Sequence, residues 1–394
     1  YAGNIDQLDV LLDSTVAMTL KVQMAMNDEK LTIKGLESQI NNSSIAADAL
    51  FEFDSPDQFM GPNSAIDLKV KARNLLMQSF SHFTSATPAY DLPATNLDVR
   101  ALGTFEKLNI QDLRTMTAGT EIQLNSVVQN LTNPDKLAYS IDTLSVSTSR
   151  KSLLVLLPDT LLPLPIELPE KLAISAQGIG TTREFEGKVD LHSSFGNLYL
   201  QVDTLSTLSP IHYNLQVISP SFHVGGILGD TSQFQNMAWD FQASGQGAYL
   251  KDLQLDVNGF IQNIDLNNHI YDSLMIGISG DRGLFNIHTS VQDEALSVEV
   301  TSNIDMTSDL FKNTTRLNVD RAHLMAMNFS QTPLKLKLEG EANFTTATFK
   351  AFDGNLAIRK LSADKDIDTY QMDSLLVAII DDDKQTTIDI HSDV

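Results

Sequence analysis

The chain has 394 residues, 42% of them hydrophobic, which is enough to bury a substantial core and argues against a disordered protein. Its 50 acidic residues outnumber its 27 basic ones and give a net charge of -23, whose field repels phosphate backbones and anionic membrane surfaces. The sequence contains no Cys, which excludes disulfides, thiolate metal sites and Cys nucleophiles.

The two ends of the sequence predict a segment of a longer exported protein. The chain starts at Tyr1 rather than Met, shows no signal-peptide pattern and stops abruptly at Val394. No run approaches the roughly 18 apolar residues of a membrane-spanning helix, so we expect any membrane anchor to lie outside this sequence.

In chain order, apolar and polar residues alternate with period two in one segment after another, which places one row of side chains on each face of a sheet. Clear examples are Ile66–Ala72, Leu253–Val257 and Leu296–Val300. Short strands of this kind predict an antiparallel sheet with one apolar and one solvated face. Turn signals between strands are Asn258–Gly259, Asp281–Gly283 and Asp353–Gly354.

A longer period lies above the strands. Four times an alternating strand ends in glycine on one template, at Leu97–Gly103, Leu172–Gly178, Trp239–Gly245 and Leu334–Gly340. A short helix behind a capping side chain is predicted ahead of each strand. These helices are Leu75–Met77 behind Asn74, Leu153–Leu157 behind Ser149, Val224–Leu228 behind Ser221, and Leu324–Met327 behind Asp320.

The four glycines are spaced by 75, 67 and 95 residues, which predicts repeats of unequal length. We divide the chain into a leading β segment at 1–64 and four repeats at 65–140, 141–211, 212–314 and 315–394. Such a repeat cannot bury its apolar face alone, so neighbours are expected to stack and share one interior. The divisions are parts of one continuous elongated array rather than independent domains.

Several motifs resemble one family when they are taken in order. The strand pair Gly259–Gly280, which continues into Asp281–Phe285, resembles a recurring element of the TamB-like and AsmA-like envelope proteins. The segments Asn133–Tyr139, Thr148–Leu153 and Leu168–Leu172 are similar to TamB-like chains of Bacteroidota-type bacteria. The likeness runs over most of residues 60–394, and it is the succession of motifs that carries it.

The resemblance implies a β-taco, a long sheet curled lengthwise into a groove with an apolar lining and short helices between repeats. Such a groove would carry phospholipid tails across the periplasm of a Gram-negative bacterium. It also implies two partners that contact parts of the chain outside this sequence. An N-terminal anchor would reach the inner membrane, and the C-terminus would meet an outer-membrane barrel of the Omp85 type, similar to TamA.

The predicted groove lining is the apolar set of the best alternating strands. Replacing Leu255 or Leu336 with Asp is expected to block lipid transfer. The full set is Ile66, Leu68, Val70, Val99, Leu172, Ile174, Leu198, Leu200, Val202, Leu215, Val217, Trp239, Phe241, Leu253, Leu255, Val257, Ile276, Ile278, Val298, Val300, Leu334, Leu336, Leu338, Val377 and Ile379.

Two other interpretations stay open. The same alternation fits a dry, closed sandwich core in a structural scaffold for outer-membrane protein assembly. It also fits a glycan-binding or adhesin-type repeat protein, although glycan sites usually present aromatic platforms and this chain has one Trp, at 239.

No catalytic, metal or cofactor site is predicted. The eight His residues are scattered at 82, 192, 212, 223, 269, 288, 323 and 391, and they show no metal-ligand spacing. The loop Gly225–Gly229 lacks the Lys-Ser/Thr ending of a phosphate loop, and the acidic run Asp381–Asp383 lacks the spacing of a calcium loop. We therefore expect a protein that is not an enzyme.

Overall fold

The computed structural model describes residues 2–12, 16–76, 93–157, 167–206, 208–229, 236–346, 352–365, 367–381 and 386–393. The chain forms two compact units, an N-terminal unit of residues 1–194 and a C-terminal unit of residues 195–394. Within each unit, consecutive strands pair in antiparallel fashion. The all-β, antiparallel fold class predicted from the sequence is confirmed.

The N-terminal unit contains eleven described strands, one α-helix and two single turns of 3-10 helix. The turns are Pro56–Gln58 and Pro134–Lys136, and the helix is α1 (Arg150–Leu156). The strands are β1 (Ala2–Leu12), β2 (Val16–Met26), β3 (Lys30–Ile40), β4 (Ser43–Glu52), β5 (Ala65–Leu75), β6 (Thr95–Thr104), β7 (Lys107–Thr117), β8 (Thr120–Gln129), β9 (Ala138–Ser149), β10 (Lys171–Thr181) and β11 (Glu184–Ser193).

The C-terminal unit contains twelve described strands and the helix α2 (Val224–Leu228). The strands are β12 (Gly196–Ser206), β13 (His212–His223), β14 (Asn236–Gln246), β15 (Gln254–Leu266), β16 (His269–Asp281), β17 (Leu284–Gln292), β18 (Leu296–Asp305), β19 (Phe311–His323), β20 (Leu334–Thr346), β21 (Phe352–Lys365), β22 (Asp368–Asp381) and β23 (Thr386–Asp393).

Bulges interrupt the strand ladders of both units. The pairing of β3 with β4 shifts around Gly35, whose φ is 57° and whose N–H donates to the Asp48 carboxylate at 2.9 Å. Lys360 in β21 also has positive φ and is skipped where the pairing of β20 with β21 shifts register. A bulge leaves one residue unpaired and bends the strand that carries it. The strands that carry these bulges are therefore bent in mid-course.

Two of the predicted helices are confirmed. Helix α1 has Ser149 as its N-cap, and the Ser149 hydroxyl accepts a hydrogen bond from the Ser152 amide, as the capping pattern predicted. Helix α2 spans the predicted residues, but its N-cap is His223 without a capping side-chain bond, so the assignment of Ser221 as the cap is wrong.

Of the other two helix predictions, one is wrong and one is wrong at its start. Leu324–Met327 is not a helix; it is a hydrogen-bonded turn in which the Met327 amide donates to the His323 carbonyl. The start of the first candidate is wrong, because Leu75 is the last residue of β5, and Met77 lies outside the described residues. A single turn is too short to overcome the cost of nucleating a helix.

Two of the three turns predicted at glycines are wrong. Asp281–Gly283 does join β16 to β17, but Asn258–Gly259 lies inside β15 and Asp353–Gly354 lies inside β21. The template strands also run past their glycines, as β20 does beyond Gly340. These glycines lie within strand ladders, where a missing side chain leaves room for a neighbour.

Two inserted segments of the C-terminal unit lie at the same edge of its sheet. Helix α2 follows β13, and residues Leu324–Ser330, here called the strap, follow β19, six strands later. Connections separated by an even number of antiparallel strands fall on one edge. The strap folds back over the sheet, because Leu324 and Met327 pack into a cluster with side chains of β16–β19.

Candidate functional site: an apolar sheet face

Strand register gathers the apolar side chains of the N-terminal unit onto one sheet face. Directly paired residues point to the same side of a sheet. Val70 of β5 pairs with Val99 of β6, and Leu68 pairs with Ala101. The residues between them in sequence are charged and point to the other side. Because the same registration continues from strand to strand, one side of the sheet is apolar and the other is polar.

The C-terminal unit has an apolar face built in the same way. One line of directly paired residues runs across five consecutive strands, from β16 to β20. Its members are Ile276, Thr289, Val300, Leu317 and Gly340. Period-two alternation in each strand is therefore converted by pairing into a surface many strands wide.

The structure places the predicted lining residues on these two faces. Ile66, Leu68, Val70, Val99, Leu172 and Ile174 lie in the N-terminal unit, and the others lie in the C-terminal unit. Two positions are less regular, since Leu198 lies at a register shift of β12 and Leu253 precedes the first residue of β15. Whether the set binds lipid stays a prediction.

Most of the apolar face is only half-buried. Of the 25 predicted lining residues, Ile66 and Val202 are buried, at 5% and 4% exposure, and the rest are intermediate. In the closed core of a sandwich, inward side chains interdigitate with a second sheet and lose nearly all contact with water. The described elements supply no such cover for most of either face.

Aromatic rings lie over glycines on the apolar faces, a feature that the sequence analysis missed. A Cβ on Gly245 would come within 2.6 Å of the Tyr213 hydroxyl, and one on Gly280 would come within 2.5 Å of the Phe285 ring. Leu255 pairs with both glycines and so lies between the two rings. A ring that covers a glycine stabilises the strand at that point. At each such glycine, the apolar face is formed by the aromatic ring that lies over the backbone.

A polar cluster interrupts the apolar face of the C-terminal unit. The Asn313 amide donates to the Ser302 hydroxyl at 2.6 Å, and the Thr315 hydroxyl donates to the Asn313 side-chain oxygen at 2.8 Å. Asn313 is 7% exposed. Mutual hydrogen bonds remove most of the cost of burying these groups. The cluster was not predicted, because single polar residues on an apolar face are ambiguous in sequence.

Charged side chains occupy the opposite face, where ion pairs cross neighbouring strands. These pairs are exposed, and surface pairs contribute only about 0–1 kcal/mol each. The recesses on this face are lined by the same charged residues, so they offer no apolar ligand site. The cross-strand pairs include Lys30–Glu52, Arg73–Asp98, Arg316–Glu341 and Lys360–Glu339.

One buried titratable pair lies beside the strap. His269 Nε2 is 3.3 Å from Asp293 Oδ1, which also accepts the Ala295 amide at 2.8 Å. Burial alone would raise the pKa of Asp293, but hydrogen bonds from backbone amides and from His269 lower it overall. Burial, and then the Asp293 charge, raises the pKa of Tyr271, whose ring meets His269 edge-on. These groups tie β16 to the β17–β18 turn.

Chemistry-bearing groups do not converge elsewhere in the described part of the chain. No group of three or more His, Asp or Glu side chains there could hold a metal ion. His288 contacts Glu299 at 3.7 Å on the exposed face, without a nucleophile. No helix among the described residues is long and apolar enough to cross a membrane. The apolar faces are thus the candidate site.

No protein-family model, no curated protein and no solved structure matches this chain.

Proposed function

We propose that this chain is a segment of a periplasmic, bridge-like lipid-transfer protein whose apolar faces shield phospholipid acyl chains between the inner and outer membranes and so support outer-membrane biogenesis. The observation that carries the proposal is the half-buried apolar face of each unit. Its side chains are sorted from the polar ones by register, yet most keep access to a ligand. The resemblance to TamB-like and AsmA-like motifs supplies the biological setting.

The energetics of acyl chains explain why such a face is useful. Moving a tail of about sixteen carbons into water costs roughly 10 kcal/mol or more, at about 0.8 kcal/mol per methylene. Transfer across an aqueous gap is therefore slow unless the tail stays covered. A line such as Ile276 to Gly340 covers a tail on one side across several strands, while the headgroup stays in water. Binding of this kind needs no charged clamp, which suits an acidic protein.

Two partners belong to the proposal through the resemblance alone. An inner-membrane anchor and an Omp85-type outer-membrane barrel, similar to TamA, would contact parts of a longer chain. A bridge between two membranes requires both, because a covered path is useful only when each end meets a lipid reservoir.

A structural scaffold with a dry core is the second candidate, and one observation favours it. Tyr271, Val291, Ala295, Ala322 and Met327 form a buried cluster beneath the strap, so part of the C-terminal face is closed. The glycan-binding alternative gains less support. Trp239 is half-buried and packs on Phe222, with ring centroids 5.3 Å apart, instead of forming an exposed platform.

Native mass spectrometry with lipid extraction tests the proposal on protein purified from a bacterial envelope without detergent. Several phospholipids per chain are expected, with lower occupancy in Leu255→Asp, which puts a charge on the apolar face. Met275→Asp is the matched control, because Met275 lies on the other face of β16 and is 51% exposed. A lipid-free mass for the unchanged protein would refute the proposal and favour the scaffold.

A further inference from the structure

We propose that the strap, Leu324–Ser330, is an autoinhibitory plug that occupies an acyl-chain site on the apolar face of the C-terminal unit and is held closed by a latch between Asn267 and Asn328. This inference rests on the proposed lipid-binding function. It adds a second state of the face, in which the strap has moved and lipid lies where the strap now packs.

The apolar surface beneath the strap is buried, whereas most of the rest of the face is half-buried. Met327 is 3% exposed, and Tyr271, Ala295 and Ala322 beneath it are 6%, 4% and 7% exposed. These three residues pack in one cluster with side chains of the apolar face, most of whose other side chains are half-buried. The strap therefore accounts for the local closure.

The plug has the chemistry of the ligand that it would replace. Met is unbranched and flexible, and its side chain follows an irregular apolar surface much as a short alkyl chain does. Met327, with Leu324 beside it, fills the space over Ala295 and Ala322. An acyl chain could occupy that space once the strap leaves, because alkyl groups and thioethers make similar dispersion contacts.

Outward-facing residues of the strap are also apolar. Met325 is 46% exposed and Phe329 is 60% exposed, although both flank the buried Met327 in a seven-residue segment. Large parts of both side chains therefore stay in contact with water while the strap is closed. They offer an incoming amphiphile a first apolar contact, through which it could bias the strap toward opening.

In the latch, the side chain of each Asn donates hydrogen bonds to backbone carbonyls on the other side. Asn267 Nδ2 donates to the Asn328 carbonyl at 2.8 Å and to the Met327 carbonyl at 3.2 Å. Asn328 Nδ2 donates back to the Asn267 carbonyl at 3.0 Å and to the Asn268 carbonyl at 3.3 Å. Both Asn267 and Asn328 have positive φ, a conformation that Asn tolerates better than most residues.

Other hydrogen bonds of the strap keep it together as a body. The Phe329 amide donates to the Leu324 carbonyl at 2.8 Å, and the Leu324 amide donates to the Leu334 carbonyl at 2.9 Å. Together with the bond from the Met327 amide to the His323 carbonyl, these bonds run within the strap or to residues that flank it in the chain. Because the described residues tie the strap to the β15–β16 hairpin only through the two Asn side chains and apolar packing, releasing the latch need not unfold either partner.

The latch is tested first by thiol accessibility. The chain has no Cys, so Met327→Cys carries the only thiol. Its rate of reaction with a maleimide should rise at least about tenfold when Asn267→Gly and Asn328→Gly are added, because both sides of the latch lose their side-chain hydrogen bonds while Gly keeps the positive φ. An unchanged rate would overturn the latch.

The plug is tested with uncharged vesicles of phosphatidylethanolamine and phosphatidylcholine that contain a phospholipid with a diazirine in its acyl chain. Cross-linked peptides are compared between the Asn267→Gly/Asn328→Gly variant and the Asn267→Cys/Asn328→Cys variant. The second variant is first oxidised, so that a disulfide replaces the latch, and is then reduced. We expect labelling of the peptide around Ala295 in the first variant and in the reduced second variant, and its loss on oxidation. Labelling of the open face around Val257 should be equal throughout.

The reduced and oxidised forms share one sequence, so a folding defect of the released variant cannot imitate this result. Equal labelling around Ala295 in the oxidised and reduced forms would overturn the plug, as would labelling around Val257 alone in every form. Absence of labelling at both positions would overturn the lipid-binding function itself, and the plug with it.

Discussion

Replacing one apolar residue with Asp at two depths of the same face measures how open that face is. Leu255 is half-buried between two glycines, whereas Val291 is 9% exposed under the strap. Fully burying a Leu contributes about 1.5–3 kcal/mol, so a partly buried one loses about 1–2 kcal/mol on replacement, and the new carboxylate keeps its water. An unpaired carboxylate at Val291 must be desolvated, which costs about 3–5 kcal/mol.

Urea unfolding followed by circular dichroism provides the assay. Leu255→Asp should lower the free energy of unfolding by about 2 kcal/mol less than Val291→Asp does. Met275→Asp, on the charged face, should change it least, and it corrects for the low strand propensity of Asp. Equal destabilisation by the first two substitutions would mean that Leu255 lies in a dry core, and the case for an open face would fail.

Three further predictions concern local features of the fold. Gly245→Val should shift the tyrosine fluorescence and lower the thermal midpoint, because its Cβ would meet the Gln254 carbonyl oxygen and the Tyr213 hydroxyl; an unchanged tyrosine fluorescence would contradict the ring-over-glycine packing. Ser149→Ala should cost about 0.5–2 kcal/mol of stability in denaturant titrations, since the Ser152 amide loses its cap, whereas Ser149→Asp should restore most of it. Asp293 has a pKa below its ordinary 3.8 in the folded state, so its stabilisation is complete above that pH and is lost as the pH falls through the folded value. Asp293→Asn should therefore flatten the acid limb of stability against pH, and an unchanged limb would argue against a charged Asp293 in the fold.

The faces of the strands could be predicted from the sequence, and the helix behind Ser149 could be predicted with its cap. Period-two alternation and capping are local properties, since each depends on residues only a few positions apart. The misread turn at Asn258–Gly259 shows the limit of local signals. Gly259 pairs with Phe241 of β14, and that cross-strand partner outweighs the turn preference of the dipeptide.

A spacing of five residues from glycine to phenylalanine is a sequence signal for one kind of glycine–aromatic pair. Gly280 and Phe285 are paired across the β16–β17 hairpin with a spacing of five residues, and the Phe285 ring lies over Gly280. Gly180 and Phe185 share this spacing across the β10–β11 hairpin, but there the Phe185 ring lies over Gly178. Glycine five positions before Phe around a tight turn places the two directly opposite each other. The pairs formed by more distant strands, such as Tyr213 with Gly245, leave no such spacing in the sequence.

The sequence by itself determined which side chains share a face, because an extended chain must turn successive residues to opposite sides. Only the tertiary structure decided how much of that face is covered. The cover over Ala295 and Ala322 comes from Met327, and it is held by a contact between Asn267 and Asn328, which lie 61 residues apart in the chain. Burial of a face depends on what folds back over it, and that depends on closure of a long loop rather than on any local pattern.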